Sequence, residues 1–224
     1  MDSDLLLKQA LKELMAEDDG VNPNSPIPID QQLAAKRARY QKMLELQPFK
    51  ERVQRAAGII IGEMASTMEP EEYEAFTTEL MAAGEALVEN PEKQGQELGL
   101  TQKSEDLLFA FGEKKLKTEN FTDAEAIFTL LTVLDRSWFR HWFFLGVAQQ
   151  ELKEFDEAIK AYAKANEITE EDPLAHLFTA ECYAALSDVQ NGQLHLDKAK
   201  VIMQGMSENI EWQSRVDELE SKLK

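Results

Sequence analysis

The chain has 224 residues, with 42 Asp or Glu against 24 Lys or Arg, and its formal net charge is −18 at pH 7. This charge argues against nucleic acids and anionic membrane surfaces as partners, because both require a basic binding surface. Ten glycines, seven prolines and many Ala, Leu, Glu and Lys residues favour an all-helical protein. The acidity itself has two interpretations: a soluble, self-repelling surface, or an acidic groove for a basic partner.

Residues 3–17 predict a short amphipathic helix with Leu7, Leu11 and Leu14 on one face. A proline-rich linker at residues 20–29 follows, because three prolines force their neighbours into extended conformations. Asp30 is a candidate N-cap of a helix that runs to about Gln47, and Pro48 begins or kinks the next helix.

Glu69 and Pro70, followed by two more glutamates, predict another helix start. That helix carries Tyr73, Phe76, Leu80 and Leu87, and a break at Pro91 and Gly99 separates it from the rest of the chain. No basic segment of a secretory signal precedes these elements, and the longest uncharged stretch, residues 56–62, is too short to span a bilayer. We therefore expect a cytoplasmic protein.

From about residue 105 the chain repeats itself, with a period of about 34 residues that lies within the range of known structural repeats. Small residues recur at Gly112, Gly146 and Ala180, and a second series recurs one helix later at Ala124, Ala158 and Gly192; a bulky series runs through Phe128, Tyr162 and Leu196. This period with this pattern is typical of tetratricopeptide repeats, which are stacked helix-turn-helix units. We place the repeats at about 105–138, 139–172 and 173–206.

Within the repeats, residues 122–125 (TDAE) resemble a capping box that starts a second helix, and Asp156 and Asp172 offer similar starts. Residues 207–224 contain Ile210, Trp212, Val216 and Leu219 at helical spacing. Because a stack of repeats leaves its last apolar face open, we predict that this segment is a capping helix. The predicted domains are thus 1–69, a helical extension; 70–206, the repeat domain; and 207–224.

The residues give no indication of catalysis. Phosphate-loop and dinucleotide fingerprints are missing, and His141, His176 and His195 are too far apart in sequence for a metal pair on one helix. Cys182 is the only cysteine, and its position on an apolar helix predicts a small core residue. We therefore expect no enzyme activity, no catalytic residues, no cofactor and no metal.

Tetratricopeptide stacks hold other proteins in a concave groove, which the first helix of each repeat lines through its second, fifth, ninth, twelfth and thirteenth positions. The predicted peptide-binding residues are Phe109, Glu113, Leu116, Lys117, Phe143, Val147, Gln150, Leu174, Leu177 and Glu181. Six of them are apolar where the groove should meet water. Either the N-terminal helices cover some of them, or they form shallow pockets for an extended apolar peptide.

Several segments resemble a narrower family, the class II chaperones of bacterial type III secretion. The matching segments are residues 99–102 (GLTQ), 108–111 (LFAF), 121–125 (FTDAE), 128–135 and 180–186 (AECYAAL). The resemblance covers roughly residues 70–206. It implies a bacterial chaperone that keeps a hydrophobic translocator soluble before export by gripping a proline-flanked segment, of Pro-x-Leu-x-Pro type, near the client's N-terminus.

The same resemblance implies pockets at Phe109, Leu116, Phe143 and Val147. Two departures stand out: Glu113 replaces a groove aromatic, and Lys115 stands where the repeat pattern favours Tyr. Family members often dimerise through N-terminal helices, which makes residues 3–17 or 30–66 candidates for a homodimer contact. The alternative function is a tetratricopeptide adaptor that scaffolds a larger assembly.

Overall fold

The computed structural model describes residues 47–90, 93–169, 172–204 and 210–223, together with the single residues Pro28, Gln31 and Ala34. The chain divides into two compact units, Met1–Glu51 and Arg52–Lys224. The predicted helix at 3–17, the linker at 20–29 and most of the helix after Asp30 lie outside the described residues. The predicted domain limits at residues 69 and 206 remain a prediction.

Two helices precede the repeats: α1 (Gln47–Glu63) and α2 (Pro70–Glu89). Pro48 is the second residue of α1, and Pro70 is the first residue of α2, where a missing backbone N–H costs no hydrogen bond. Glu71 and Glu72 lie in the first turn of α2, as predicted, where the helix dipole favours acids. A 3-10 turn, Met64–Ser66, joins the helices, and a second, Gly95–Leu98, ends at Gly99 with a φ of 82°.

Six helices form the three repeats, α3 (Gln102–Lys117) with α4 (Phe121–Leu134), α5 (Phe139–Glu151) with α6 (Phe155–Ile168), and α7 (Pro173–Ala185) with α8 (Val189–Gln204). The second helices of successive repeats begin one full period apart, and so do α5 and α7. The helix α9 (Ile210–Lys222) follows. The predicted fold is confirmed: an all-α stack of three tetratricopeptide repeats that forms a concave superhelix, with an N-terminal helical extension and a C-terminal capping helix.

The turn inside each repeat has the same backbone conformation. Glu119, Lys153 and Ser187, which are one repeat apart, adopt positive φ angles of 58°, 63° and 61°. In each turn the next residue donates its backbone N–H to a carbonyl five residues earlier, for example Asn120 to Lys115 at 2.9 Å. This is the hydrogen bond of a Schellman motif, which ends a helix with one left-handed residue. The repeat therefore fixes the turn although no glycine is present.

The predicted capping box at residues 122–125 is wrong. The helix α4 begins at Phe121, and its N-cap, Asn120, makes no side-chain capping bond. Asp123 and Glu125 are instead buried, and their carboxylates pair with Arg55 and Arg52 of α1. Asp156 likewise lies inside the first turn of α6 and is not its N-cap. The prediction for Asp172 is confirmed, since its carboxylate accepts the backbone N–H of Leu174 at 2.8 Å.

Ion pairs join α1 to the first repeat. Lys115 is buried, and its Nζ contacts Glu63 of α1 at 2.7 Å and Asp123 of α4 at 3.0 Å. Arg55 adds a bond of 2.7 Å to the other oxygen of Asp123. Burial opposes the ionised form of Asp123, yet the bonds from Lys115 and Arg55 prevail and lower its pKa. The lysine that departs from the repeat pattern is therefore the anchor of α1.

The last repeat is closed by α9. Val216, Leu219 and Leu223 are buried against the cluster that contains Leu196 and Met203. A Cβ added to Gly192 of α8 would lie 2.7 Å from Leu223 Cδ2, so the glycine lets α9 approach closely. Capping removes the apolar face that the last repeat would otherwise expose.

Candidate functional site

The first helices of neighbouring repeats contact one another through polar side chains. Asp106 and Arg140, at the second positions of repeats one and two, form an ion pair of 2.6 Å. Gln150 Nε2 donates to Glu181 Oε2 at 2.9 Å across the boundary between repeats two and three. These contacts join α3 to α5 and α5 to α7.

The predicted residues differ in how far water reaches them. Lys117 is exposed, and Phe143 and Leu177 are buried. The other seven are half-buried: Phe109, Glu113, Leu116, Val147, Gln150, Leu174 and Glu181. The surface therefore offers apolar atoms at several points along the stack without a large exposed apolar patch.

Phe143 and Leu177 are core residues. Phe143 is 7% exposed and packs against Phe139, Phe144 and Tyr162, with ring centroids 5.4 to 5.7 Å apart. Leu177 is fully buried in the same cluster. Among the described residues, the aromatic side chains packed against Phe143 belong to the repeats themselves. Neither residue can meet a peptide without movement of its neighbours.

Phe109 lies at the opposite end of this surface, on α3 of the first repeat. Its ring makes edge contacts with Phe128 and Phe144 at 5.6 and 5.1 Å, and the Arg140 guanidinium lies 4.6 Å from its centroid. The cation stacks on the outer face of the ring while its Nη2 contacts Asp106. Phe109 is thus a half-buried aromatic beside a charged pair.

The second and third repeats and α9 line an open polar cleft of about 650 Å³. Arg215 of α9 forms an ion pair with Glu181, and the Glu181 carboxylate also accepts from Gln150. Glu218 and Lys222 complete a mixed-charge wall, and the remaining lining residues are Phe155, Ala184, Ala185 and Leu219. This end of the groove can hold a polar or charged group, whereas the surface near Phe109 offers an aromatic ring.

Arg215 was not among the predicted site residues. It lies one full repeat period after Glu181, so α9 occupies the place of the first helix of a fourth repeat. Extending the repeat count by one step would have identified it. Residues 207–224 were predicted only as a cap, so Arg215, which lines the cleft, was missed.

Acidic and imidazole groups are buried beneath the Phe109 end. Glu105 is 3% exposed, and burial, together with the charge of Asp135, raises its pKa to about 7. His141 is fully buried, its Nδ1 lies 2.9 Å from the Asp135 carbonyl oxygen, and burial lowers its pKa. Glu105 Oε1 and His141 Nε2 have no hydrogen-bond partner among the described residues. Glu105 therefore changes charge near neutral pH inside the fold.

Cys182 has the predicted role of a core residue. Its side chain is fully buried, and burial raises the pKa of the thiol to about 12. The thiol is therefore protonated at neutral pH, which removes the nucleophilic form. Within the parts of the chain that are described, none of the helices has the length and hydropathy that crossing a membrane requires.

No family model matches this chain, and no curated protein is similar to it in sequence. Solved structures do match. SycD of Yersinia enterocolitica, a type III secretion chaperone solved with a peptide of the translocator YopD, is 21% identical, with a TM-score of 0.53 over 55% of this chain and 94% of its own. PcrH of Pseudomonas aeruginosa is also 21% identical, with a TM-score of 0.53 over 58% of this chain and 96% of its own.

A type III secretion complex from Aeromonas hydrophila gives a TM-score of 0.56 at 23% identity, over 62% of this chain and 94% of the matched chain. PcrH has also been solved with the chaperone binding regions of PopD and PopB. At these identities the similarity establishes a shared fold. The chain therefore has the helical-repeat fold of the translocator chaperones SycD and PcrH.

Proposed function

We propose that this protein is a bacterial cytoplasmic chaperone of type III secretion that binds a hydrophobic translocator before export. The client would lie in the concave groove as an extended, apolar segment flanked by prolines. The observation that carries the proposal is the match, over most of their length, to chaperones solved with translocator peptides. The proposal includes no enzyme activity and no cofactor.

The groove supports an extended client more than a folded partner. Its apolar contacts are separate, half-buried side chains, namely Phe109, Leu116, Val147 and Leu174, and not one broad patch. An extended peptide presents alternate side chains to such points, while its backbone can bond to polar groups between them. Glu113, Gln150 and Glu181 are polar groups on the same surface.

Phe143 contributes to this groove indirectly. Because it is 7% exposed, it is proposed to support the floor and not to contact the client. A charge at this position would break the aromatic core, so loss of binding in Phe143→Glu would not locate the client. The informative position is Val147, which is half-buried at the centre of the surface.

The test is a fluorescence-anisotropy titration of labelled Pro-x-Leu-x-Pro peptides from candidate translocators against the native protein and Val147→Lys. The positions one repeat before and after Val147 are Glu113 and Glu181, so the new cation has acidic neighbours and the fold should tolerate it. We expect binding to weaken at least about tenfold, which corresponds to about 1.4 kcal/mol.

The matched control is Val201→Lys on α8, where the valine is 68% exposed and outside the groove positions. It should bind peptide like the native protein. Equal binding by the native protein, Val147→Lys and Val201→Lys would show that the client does not bind in the groove. No peptide binding by folded native protein would overturn the chaperone proposal and favour the adaptor function.

A homodimer through N-terminal helices is part of the same proposal. The candidate segment 3–17 lies outside the described residues, and the candidate segment 30–66 is described continuously only from residue 47. In the latter, Ile61 is 65% exposed on α1, next to Gly62, where an added Cβ would meet no atom within 4 Å. The proposed dimer would use this exposed face of α1.

A further inference from the structure

Two histidines that are far apart in sequence meet between the last two repeat helices. His176 lies on α7 and His195 on α8, and their Nδ1 atoms are 3.2 Å apart. Their ring centroids are 5.3 Å apart, and both side chains are half-buried. The sequence spacing argues against a metal pair on one helix, whereas this pair is formed by two helices.

The hydrogen bonding around this pair is incomplete. His176 Nδ1 is also 3.3 Å from the side-chain nitrogen of Asn166 on α6. A ring nitrogen carries either one proton or one lone pair, so it cannot form good bonds with both neighbours. Asn166 Oδ1 meanwhile is buried and has no partner within the described structure. The side chains of His176, His195 and Asn166 therefore have more hydrogen-bond donors and acceptors than they can pair with one another.

The spacing of the imidazoles matches that of metal ligands. Zinc–imidazole bonds are about 2.0–2.1 Å long, so two nitrogen ligands of a tetrahedral ion lie about 3.3 Å apart. A metal ion binds the neutral form of an imidazole, whose unprotonated ring nitrogen carries the lone pair.

We propose that His176 and His195, with Asn166 Oδ1 as third ligand, form a binding site for a divalent transition-metal ion such as Zn²⁺ or Ni²⁺. A flip of the Asn166 amide exchanges its nitrogen and oxygen and turns the unpartnered oxygen towards the ring nitrogens. Among the residues that the structure describes, no three His, Cys, Asp or Glu side chains are grouped for a metal. The third protein ligand is therefore the amide, and water completes the coordination.

Such an ion would connect α6, α7 and α8 and so tie the second repeat to the third. Binding to the folded state alone stabilises that state by mass action. The site is independent of the proposed peptide groove, because none of its three ligands belongs to the groove residues. Lys198 would oppose metal binding, because its positive charge acts on both rings.

The test is isothermal titration calorimetry of the full chain with ZnCl₂ in a non-chelating buffer at pH 7.5, together with melting curves. We expect one saturable site per chain and a higher melting temperature with zinc. His195→Gln and His176→Gln should each weaken binding at least tenfold and remove the thermal shift, while circular dichroism verifies that each variant is folded. His141 is fully buried and remains in every variant.

Two further variants test the arrangement of the ligands. Asn166→Asp replaces the amide oxygen by a carboxylate and should tighten binding several-fold, and Lys198→Gln removes the opposing charge and should also tighten it. Absence of a saturable site in the native protein would overturn the proposal. So would binding that both histidine variants retain, since that would assign the zinc to the acidic surface.

Discussion

Single glycines determine how closely the paired helices of the first two repeats approach. A Cβ added to Gly112 would lie 2.8 Å from the Phe128 ring, and one added to Gly146 would lie 2.5 Å from the Tyr162 ring. Carbon atoms at such distances overlap, so either the ring or the helix must move. The sequence predicted this crowding from the small and bulky series that recur once in every repeat.

We predict that Gly146→Ala destabilises the protein by about 1 to 3 kcal/mol, because Tyr162 is fully buried and cannot yield. Urea denaturation measures the change. The matched control is Gly58→Ala on α1, where an added Cβ meets no atom within 4 Å. The control should gain up to about 1 kcal/mol, since alanine favours a helix over glycine. Equal effects at both glycines would contradict the packing argument.

Glu105 gives stability a pH dependence. Its pKa rises from 4.5 in an unfolded chain to about 7 in the fold. A raised carboxyl pKa means that the folded state holds the proton more tightly. Stability is therefore unaffected below pH 4.5, falls as the pH rises from 4.5 to 7, and is lowest above pH 7.

We predict that Glu105→Gln removes this loss. Relative to the native protein, the variant should gain about 1 to 2 kcal/mol more at pH 8.5 than at pH 5.5. Both values of pH lie above the sequence isoelectric point of about 4.6, which keeps the net charge negative. Chemical denaturation across this range measures the difference. Parallel stability profiles for the two proteins would show that Glu105 does not titrate near neutral pH.

The helix α1 is joined to the first repeat by charges as well as by apolar packing. Lys115 and Asp123 are both buried, and each contacts α1 through an ion pair. Removal of one member of a buried pair is costly because the other keeps its charge without full compensation. The repeat pattern predicted neither residue's role, since the partners Glu63 and Arg55 lie more than fifty residues away in sequence.

We predict that Lys115→Met destabilises the protein by about 1 to 3 kcal/mol and increases hydrogen exchange in α1 more than in α8. Asp123 keeps Arg55 and Asn120 as partners, which limits the loss. The control is Lys160→Met, whose pair with Glu157 is exposed and should contribute less than about 1 kcal/mol. If both variants lost the same stability, the anchoring role of Lys115 would be wrong.

The borders of the helices were predicted where a local signal defines them. Pro70 and Asp172 act through the backbone next to them, so the sequence was enough to place the starts of α2 and α7. The residues around Asp123 have an equally good local pattern, but the structure uses their carboxylates for α1. A tertiary ion pair can replace a cap, and nothing in the local sequence distinguishes the two uses.

The whole stack explains why part of the predicted groove is buried. The fifth positions, Phe143 and Leu177, lie in the core, while the half-buried Phe109 carries Arg140 on its outer face. At the far end, Arg215 and Lys222 of α9 balance Glu181 and Glu218. The described groove therefore carries both positive and negative charges, although the net charge of the whole chain is strongly negative. Its mixed charge favours the interpretation of the net charge as a property of the outer surface.

The sequence by itself determined the all-helical class, the three repeats and the capping helix, because these depend on periodic spacing along the chain. The same spacing predicted a shared groove face, and counting one step further reaches Arg215. Only the tertiary structure decided which groove residues are accessible, where Lys115 and Asp123 find partners, and that His176 meets His195. These outcomes depend on contacts between helices whose separation and rotation are determined by packing, and a repeat period does not specify packing.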